Sequence, residues 1–296
     1  MVLALNAGAQ EISLFNGKDL TGWSGRPEFW SVQDGAITAR MTPENRTQNF
    51  TSLVWQGGEV SDFEFSCELR IIPEGTPGLR VGGIQFRGKV VNTDYFSVSG
   101  YNVDLDYGNG YTGKLVWKMA PRSCGNGVLR GQKVVITDDA AAKSLKFEVT
   151  GKLGNDAEFH KAVQRDGWNS CKIVAVGEHL QIFIAGVQTV DAIDRSGVEP
   201  KSGVLALSLY FGPIGTFQFR NLTLKKLAPD AAAAGESGTV SRVYTDKSGR
   251  TFRATLVAVD GQTAKLKGED GRVVTVSMSD LCGADVAYLR KVAGAK

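Results

Sequence analysis

The sequence predicts an all-β fold. Between Ser13 and Leu224, apolar and polar residues alternate in many short segments, which is the period of a strand with one buried face. Few stretches carry the spacing of an amphipathic helix, and 36 glycines supply turns between the segments. Many short strands without intervening helices favour a sandwich or a barrel. With 296 residues, 42% of them hydrophobic, the chain can bury a full core.

The predicted strands follow one another closely along the first three quarters of the chain. They cover residues 13–15, 36–39, 52–55, 63–71, 83–87, 101–105, 115–117, 145–150, 168–176, 180–184, 187–191, 203–211 and 217–224. The segment 63–71 alternates without a break, as a half-buried antiparallel strand does. The dipeptide at Ala185 and Gly186 is the kind of two-residue connection that closes a hairpin. The connections therefore predict antiparallel pairing.

A change in composition divides the chain into two predicted domains. Residues 228–238 are mostly small, with one proline and two glycines, which is typical of a linker. The sequence therefore predicts a large domain over residues 11–227. Residues 239–296 carry further short strand patterns separated by glycine-containing turns, and then a short helical pattern. This tail predicts a small barrel closed by a helix.

Residues 1–10 predict either the remnant of a secretory signal or a disordered terminus. They are small and apolar, and Ala7 and Ala9 fit the Ala-x-Ala pattern of a cleavage site, although no basic residues precede them. The first interpretation predicts an exported protein, located in a periplasm or outside the cell. The second leaves an ordinary mobile chain end.

Charge and composition argue against several partners. The net charge is +3, and no dense run of Lys and Arg interleaves with aromatic residues, so a nucleic-acid partner is not expected. No segment is long and apolar enough to span a membrane. The four cysteines, Cys67, Cys124, Cys171 and Cys282, form no CxxC pair, which argues against a structural zinc site. Cys67 and Cys171 fall in apolar phases of strands and are expected to be buried thiols.

Polar residues on two predicted strands form the candidate site. In segments 83–87 and 101–106, alternation sends the apolar side chains into a core. The polar side chains are then expected to share the opposite, open face of the sheet: Gln85, Arg87, Asn102, Asp104 and Asp106. Amides, a guanidinium and carboxylates suit a polyhydroxylated ligand, and the aspartates add acid/base chemistry. Segment 205–211 alternates in the same way.

Two residues of the next predicted strand extend the candidate set. Lys114 has the phase to reach a sugar bound on this face, and Lys118 shares that phase. Trp117 lies between Lys114 and Lys118 in the sequence and is a candidate for stacking on a sugar ring. Lys114 and Trp117 are therefore predicted to bind substrate.

Structural interpretations stay open for several of these residues. Arg87 and Asp104 also fit an ion pair on a sheet surface, and Asp106 also fits a turn with the glycine-rich residues after it. The sequence predicts no certain cofactor and no defined set of metal ligands. Ca²⁺ or another divalent cation at Asp104 and Asp106, or at Asp138 and Asp139, is the open alternative.

A series of motifs resembles a known family. The motifs are LFNGKDLTGW at 14–23, WSVQDGAI at 30–37, FEF at 63–65, GIQFRG at 83–88, GY at 100–101, WN at 168–169, GV at 186–187 and FQFRNL at 217–222. In this order they resemble the 3-keto-disaccharide hydrolase family over almost all of the first domain. The resemblance implies a concanavalin A-like jelly-roll sandwich. It also implies substrates that are glycosides already oxidised at C3.

The resemblance implies an elimination route for such substrates. A C3 ketone acidifies the C2 proton, so a base removes it, the enolate expels the C1 substituent, and water adds to the enone. In that scheme Arg87 would stabilise the enolate oxygen, and Asp104 or Asp106 would transfer the proton. Gln85 and Asn102 would orient hydroxyl groups. The implied partner is an oxidised sugar or oligosaccharide.

Two motifs depart from the family pattern. Where the family commonly shows Tyr-Glu-x-Gln, this chain has an amide, Asn102, in place of the candidate catalytic Glu. Where the family tends to show Gly-Leu-Gln-x-His-x-Gly, Ser208 and Tyr210 replace Gln and His. These three residues are therefore candidates for substrate binding. The alternative to a hydrolase is a non-catalytic, lectin-like carbohydrate-binding protein on the same fold.

The tail carries a second resemblance. Residues 242–246, 249–252 and 285–289 resemble the SH3-like homology domain of a yeast endocytic adaptor. That module recognises a short peptide in the adaptor. The resemblance therefore implies an SH3-like module over residues 239–296 with a peptide or cell-surface partner.

Overall fold

The contacts within the chain divide it into two units, Met1–Lys226 and Leu227–Lys296. The computed structural model describes residues 11–74, 80–107, 110–119, 121–211, 214–227, 241–247, 250–268, 271–282, 285–286 and 289–290. The predicted terminal segment 1–10 and linker 228–238 lie outside the described residues.

The larger sheet of the first unit has ten strands. They are β1 Glu11–Ser13, β3 Trp30–Gln33, β4 Ala36–Met41, β6 Phe63–Pro73, β10 Gln132–Asp139, β11 Ser144–Lys152, β12 Asn169–Val176, β13 His179–Ile184, β14 Val187–Asp194 and β16 Gly215–Lys226. Their order is β11-β10-β14-β13-β12-β6-β16-β4-β3, with β1 also paired to β16. The β10–β14 pair is parallel and the other pairs are antiparallel.

The second sheet of this unit has six strands. They are β2 Trp23–Ser24, β5 Thr51–Trp55, β7 Arg80–Asn92, β8 Ser97–Asp106, β9 Leu115–Lys118 and β15 Val204–Leu209. Their order is β2-β5-β15-β7-β8-β9, and all pairs are antiparallel.

The core of the first unit lies between the two sheets. Phe63 of the ten-stranded sheet meets Phe86 of the six-stranded sheet with ring centroids 5.9 Å apart, and Phe86 stacks on Tyr101 at 5.1 Å. Ile84 and Val103 are fully buried in the same core, as strand alternation predicted. The predicted all-β jelly-roll sandwich is therefore confirmed. The side of the six-stranded sheet that faces away from this core is called the outer face below.

The hairpin formed by β7 and β8 bends sharply at Gly88 and Gly100. The pairing register shifts just before this point, and Gly100 has a φ of +124°. A Cβ on Gly100 would lie 2.9 Å from the Cα of Gly88, so the bend needs both glycines. Beyond the bend, Val98 packs on Val54 and Ala206, which lie on β5 and β15. The hairpin tip thus covers part of the outer face.

Four elements of the first unit were not predicted, and two of them are the short strands β2 and β3. A short helix, α1, spans Asp156–Ala162 and buries Phe159. The strand Gln132–Asp139 pairs with β11 and β14 although no strand was expected there. No helix in the described part of the chain is long and apolar enough to cross a membrane.

The second unit contains one antiparallel sheet. Its strands, in spatial order, are β17 Ser241–Thr245, β18 Thr251–Asp260, β19 Thr263–Gly268 and β20 Val273–Ser277. A short 3₁₀ turn, Met278–Asp280, follows. Tyr244, Leu256 and Leu266 form the centre of a separate core. The strands predicted in the tail are present, and the SH3-like assignment stays a prediction.

Candidate functional site

Strand register brings polar residues of three strands together on the outer face. Ser208 of β15 lies opposite Gly83 of β7, and Gly83 lies opposite Asp104 of β8. In the neighbouring row, Gln85 lies opposite Asn102. Because side chains two residues apart share a face, these rows form one polar cluster.

Gly83 provides the space in which the cluster forms. A Cβ at this position would overlap the carbonyl oxygen of Val103 and would lie 2.5 Å from both terminal atoms of the Asn102 amide. Without that Cβ, the Asn102 amide crosses β7 and reaches Ser208 on β15. The glycine of the family-like GIQFRG motif therefore has a direct structural role here.

Hydrogen bonds join four side chains, which we call the outer-face cluster: Asn102, Asp104, Ser208 and Tyr210. The Ser208 hydroxyl donates to Asn102 Oδ1 at 3.1 Å. Asn102 Nδ2 donates to Asp104 Oδ1 at 2.9 Å and to the Tyr210 hydroxyl at 2.9 Å. The Tyr210 hydroxyl donates to Asp104 Oδ1. Sequence analysis predicted each of these four residues for the site, and the structure brings them together.

Lys118 covers the solvent side of the outer-face cluster. Its Nζ lies 3.6 Å from Asp104 Oδ1 and 4.1 Å from the centroid of the Tyr210 ring. Two electrostatic interactions favour this position of the ammonium: a cation–π contact with the Tyr210 ring and an ion pair with the Asp104 carboxylate. The side chain of Lys118 is 14% exposed, whereas that of Asp104 is fully buried. The ammonium therefore stands between the carboxylate and the solvent.

Two phenylalanines form an aromatic wall beside Lys118. Phe50 meets the Tyr210 ring edge to face at 5.3 Å and the Phe211 ring at 5.2 Å. The Lys118 ammonium is 5.7 Å from the Phe50 centroid. Phe211 is 54% exposed, which is unusual for so large an apolar side chain. The surface next to the cluster is therefore apolar and aromatic.

The outer face is less open than the sequence predicted. Asn102 and Asp104 are fully buried, and Ser208 is 3% exposed. Gln85 is buried too: its Oε1 accepts from the Ser52 hydroxyl at 2.9 Å, and its Nε2 donates to the Val98 carbonyl at 2.6 Å. The bent hairpin tip and the Tyr210 ring cover this region. Gln85 thus holds the hairpin tip to the sheet beneath it.

Arg87 does not share the outer face with Asp104, so that part of the prediction is wrong. It lies at the hairpin bulge with a φ of +48°. Its guanidinium donates to the Ser61 carbonyl at 2.8 Å and the Gly177 carbonyl at 2.7 Å, and pairs with Asp62 at 3.1 Å. These partners lie in the connections that flank β6 and β12 of the ten-stranded sheet. Burial lowers the pKa of Arg87, and its role in the structure is to join the two sheets.

The structure also places Trp117 differently from the prediction. Its ring lies 5.3 Å from Tyr101 and 5.7 Å from Phe147, a residue of the opposite sheet. Only 4% of Trp117 is exposed. The side chain is therefore part of the core, and it is not placed to stack on a sugar at the outer face.

The side chains of Asp106 and Lys114 contact residues outside the outer-face cluster, although the Asp104 backbone N–H donates to the Lys114 carbonyl at 2.9 Å. The Asp106 carboxylate accepts bonds of 3.1, 2.8 and 2.8 Å from the backbone N–H groups of Gly110, Tyr111 and Thr112, and it accepts from the Thr112 hydroxyl. This is the turn that the sequence left open as an alternative. The Lys114 Nζ lies 4.3 Å above the Tyr111 ring.

Two residues at the site were not predicted for it, and a third, Lys118, was noted only for sharing the phase of Lys114. Lys118, Phe50 and Ser52 contribute the ammonium, the aromatic wall and the partner of Gln85. A signal was available: in segment 50–55, residues 50, 52 and 54 have the phase opposite to that of the core residues Leu53 and Trp55.

The carboxylates proposed for a divalent cation have other partners. Asp138 pairs with Arg122 at 2.7 Å, and Asp139 pairs with Lys146 at 2.9 Å. Among the described residues, no group of three or more His, Cys, Asp or Glu side chains has the spacing of a metal site.

A second buried polar cluster lies between the sheets. The Tyr101 hydroxyl donates to Asp194 Oδ2 at 2.7 Å, and burial, followed by the charge of Asp194 and this hydrogen bond, raises the pKa of Tyr101. Glu199, 9% exposed, lies near Asp194, and burial, followed by the charge of Asp194, raises the pKa of Glu199 to about 7. This cluster is distinct from the outer-face cluster.

Several solved structures are similar to this chain. A candidate glycosyl hydrolase from Parabacteroides distasonis shares 15% identity, with 74% of this chain and 94% of that chain covered and a TM-score of 0.44. The carbohydrate-binding module CBM66 from Bacillus subtilis shares 17%, with 69% and 95% covered and a TM-score of 0.42. A Bacillus subtilis protein of unknown function with a galectin-like fold shares 10%, with 73% and 94% covered and a TM-score of 0.43.

The family comparison covers most of the chain. No curated protein matches the chain significantly. Residues 10–225, which include the outer-face cluster and nearly all of the sandwich, match the 3-keto-alpha-glucoside-1,2-lyase-like domain. The chain therefore belongs to this carbohydrate-active domain family.

Proposed function

We propose that the protein is a glycoside-processing enzyme that acts on 3-keto-glycosides or 3-keto-disaccharides at the outer-face cluster. Family membership supports a carbohydrate as the ligand. The observation that carries the enzymatic part is the grouping of Asp104, Tyr210 and Lys118. A carboxylate, a hydroxyl and an ammonium lie within hydrogen-bond or ion-pair reach of one another.

The proposed reaction needs three groups. A base takes the C2 proton, a cation stabilises the negative charge that develops on the C3 oxygen, and an acid protonates the leaving oxygen at C1. Water then adds to C1 of the enone and a proton returns to C2. The sum is hydrolysis, and the enzyme regains its starting protonation state.

Lys118 takes the cationic role in this scheme. Arg87 is committed to the other sheet, whereas the Lys118 ammonium stands at the solvent side of the cluster. Asp104 and Tyr210, joined by a hydrogen bond, form the proton-transfer pair. Because Asp104 is buried under Lys118, the substrate ketone displaces the ammonium from the carboxylate as it binds. The long, unbranched lysine side chain permits this movement.

The aromatic wall suits the apolar face of the substrate. Sugar rings expose C–H groups on one side, and these pack well on aromatic side chains. Phe211, the most exposed ring of the wall, is the one that would contact the leaving group. Asn102 and Ser208 lie too deep for that contact and would hold Asp104 and Tyr210 in position.

The test uses a 3-keto-glucoside with a chromogenic leaving group. Asp104→Asn and Lys118→Met should each lower kcat/KM about 100-fold or more, since each removes a group that acts on developing charge. Lys133→Met, on the ten-stranded sheet and paired with Asp191, is the matched control and should keep full activity. Unchanged turnover in both Asp104→Asn and Lys118→Met would remove the outer-face cluster from the mechanism.

One observation favours the alternative of a lectin-like protein. Asn102 occupies the position where the family commonly has Glu, and an amide cannot serve as a base. In that case wild-type protein would bind the 3-keto-glucoside without releasing the leaving group. Calorimetric titration of the same compound separates the two functions.

The remaining expectations for the molecule stay proposals. They are export to a periplasm or beyond, and a peptide or cell-surface partner for an SH3-like second unit. Fractionation of the native host would test the first, and peptide binding by the full chain would test the second.

A further inference from the structure

Two cysteines lie opposite each other in the ten-stranded sheet. Cys67 of β6 and Cys171 of β12 are direct partners in the antiparallel ladder. The pairs on either side, Phe65 with Ile173 and Leu69 with Asn169, are in regular register. Both cysteines point into the sandwich core, where Cys67 is 3% exposed and Cys171 is 1% exposed. Neither residue contributes to the outer-face cluster.

The ladder sets a distance that suits a covalent link. Directly opposed residues of antiparallel strands have Cα atoms about 4.5 or 5.5 Å apart, depending on their place in the hydrogen-bond pattern. Disulfides join residues whose Cα atoms are roughly 4.4–6.8 Å apart. Because both side chains emerge on the same face of neighbouring strands, the sulfur atoms need only a rotamer change to meet.

We propose that Cys67 and Cys171 form an intrasheet disulfide when the chain folds in the presence of a disulfide oxidant, such as glutathione disulfide or a disulfide-bearing oxidoreductase. One cysteine thiolate attacks the oxidant, forms a mixed disulfide and releases the first thiol. The second cysteine thiolate then attacks the mixed disulfide and releases the second thiol. The protein loses two protons and two electrons, and the oxidant is reduced to two thiols.

The order of folding and oxidation decides whether the bond forms. In the folded chain, burial and then the neighbouring Cys171 thiol raise the pKa of Cys67, so little thiolate is present to react. An oxidant molecule also has no access to side chains that are almost fully buried. The bond must therefore form before the six-stranded sheet closes over the pair. Once made, it is protected from reductants for the same reasons.

The other two cysteines behave as internal controls. Cys124 and Cys282 are partly exposed; the Cys124 thiol lies 3.5 Å from the Trp117 carbonyl, and the Cys282 thiol lies 3.3 Å from an Asp285 carboxylate oxygen. Cys282 belongs to the second unit. A Cys124→Ser variant keeps the proposed pair and removes a partly exposed thiol, whereas Cys171→Ser removes the pair.

The experiment refolds the reduced full-length chain with and without glutathione disulfide. Free thiols are then alkylated under denaturing conditions, and peptides are mapped by mass spectrometry. We expect a peptide pair joined through Cys67 and Cys171 in oxidised wild type and in Cys124→Ser. The link closes a loop of roughly one hundred residues, and it should raise Tm by about 5 °C or more over the reduced chain. Cys171→Ser should show no such rise.

Two results would overturn the proposal. The first is alkylation of both Cys67 and Cys171 after oxidative refolding to a native, soluble protein. The second is a cross-link of either residue to Cys124 or Cys282 instead. Reduced and oxidised wild type have the same sequence, so this comparison stands even where Cys171→Ser folds poorly.

Discussion

Arg87 shows how a single backbone irregularity changes the meaning of a residue. Strand alternation predicts it on the same face as Gln85 and Asp104. The bulge at the hairpin bend, together with the positive φ of Arg87, turns its side chain to the opposite sheet. Among the residue types near Arg87, Gly88 alone indicates a bulge. The alternation rule held where the strand was regular, at Asn102, Asp104, Ser208 and Tyr210.

Glu199 provides a prediction at the residue scale. Burial raises its pKa from an ordinary value of 4.5 to about 7, with the charge of Asp194 as the second cause. Because the pKa of Glu199 is higher in the folded state than in the unfolded state, the folded state binds the proton more tightly, and protonation of Glu199 stabilises the fold. That contribution is complete below about pH 4.5 and is lost as the pH rises through 7. Glu199→Gln should therefore flatten the loss of stability between about pH 5 and pH 8.

The expected difference is measurable by urea denaturation at several pH values. A shift of this size corresponds to a change on the order of 3 kcal/mol across the window. Glu148→Gln, at an exposed position on β11, is the control and should keep the wild-type profile. A Glu199→Gln variant whose stability falls with rising pH as steeply as that of wild type would contradict the assignment.

At the scale of elements, Gly83 determines whether β7, β8 and β15 can share one polar cluster. Gly83→Ala should cost roughly 2 kcal/mol or more, because the added methyl meets backbone of Val103 and the amide of Asn102. Gly151→Ala is a matched control on β11, where a Cβ lies at least 3.5 Å from its nearest neighbour, the Lys133 side chain. It should change stability by about 0.5 kcal/mol or less.

Chemical denaturation of the two alanine variants tests this prediction. If Gly83→Ala and Gly151→Ala had equal free energies of unfolding, the prediction would be wrong, because the Asn102 amide would then not occupy the space above Gly83. If the cluster is the active site, Gly83→Ala should also lose turnover while remaining folded at low denaturant.

The strands that the sequence predicted and those that it did not differ in the length and regularity of their apolar alternation. The long alternating strand β6 was predicted because its pattern runs unbroken and its pairing is regular. Strand β10 was missed although its burial alternates, because polar and charged residues flank a short apolar stretch. Trp117 was misplaced for a related reason: lysines on both sides suggested exposure, but its alternation with them sends it into the core.

At the scale of the whole molecule, the two units have separate cores. The first core runs from Leu14 to Leu224, and the second is centred on Tyr244, Leu256 and Leu266. We therefore expect a chain that ends at Lys226 to fold cooperatively and to keep the midpoint of the corresponding transition in the full chain. Differential scanning calorimetry of both proteins tests this. A midpoint lowered by about 5 °C or more would show that the first unit depends on the second.

The family was accessible from sequence because its motifs serve the fold. Asn16 and Asp19 of the first motif organise a turn through side-chain bonds to backbone N–H groups, and Trp23 donates to the Leu14 carbonyl at 2.8 Å. Such motifs predict the sandwich. They do not predict how the outer-face cluster is arranged, since that depends on the hairpin bend and on Lys118 folding over Asp104.

The fate of the C2 proton distinguishes elimination from direct hydrolysis at C1. Wild-type protein is incubated in D₂O with a 3-keto-glucoside, and the released sugar is examined by NMR, beside the unoxidised glucoside as a control. Elimination predicts release from the keto compound alone, with deuterium at C2 of the released 3-keto sugar. Release with the original hydrogen retained at C2, or equal release from the unoxidised glucoside, would contradict elimination at the outer-face cluster.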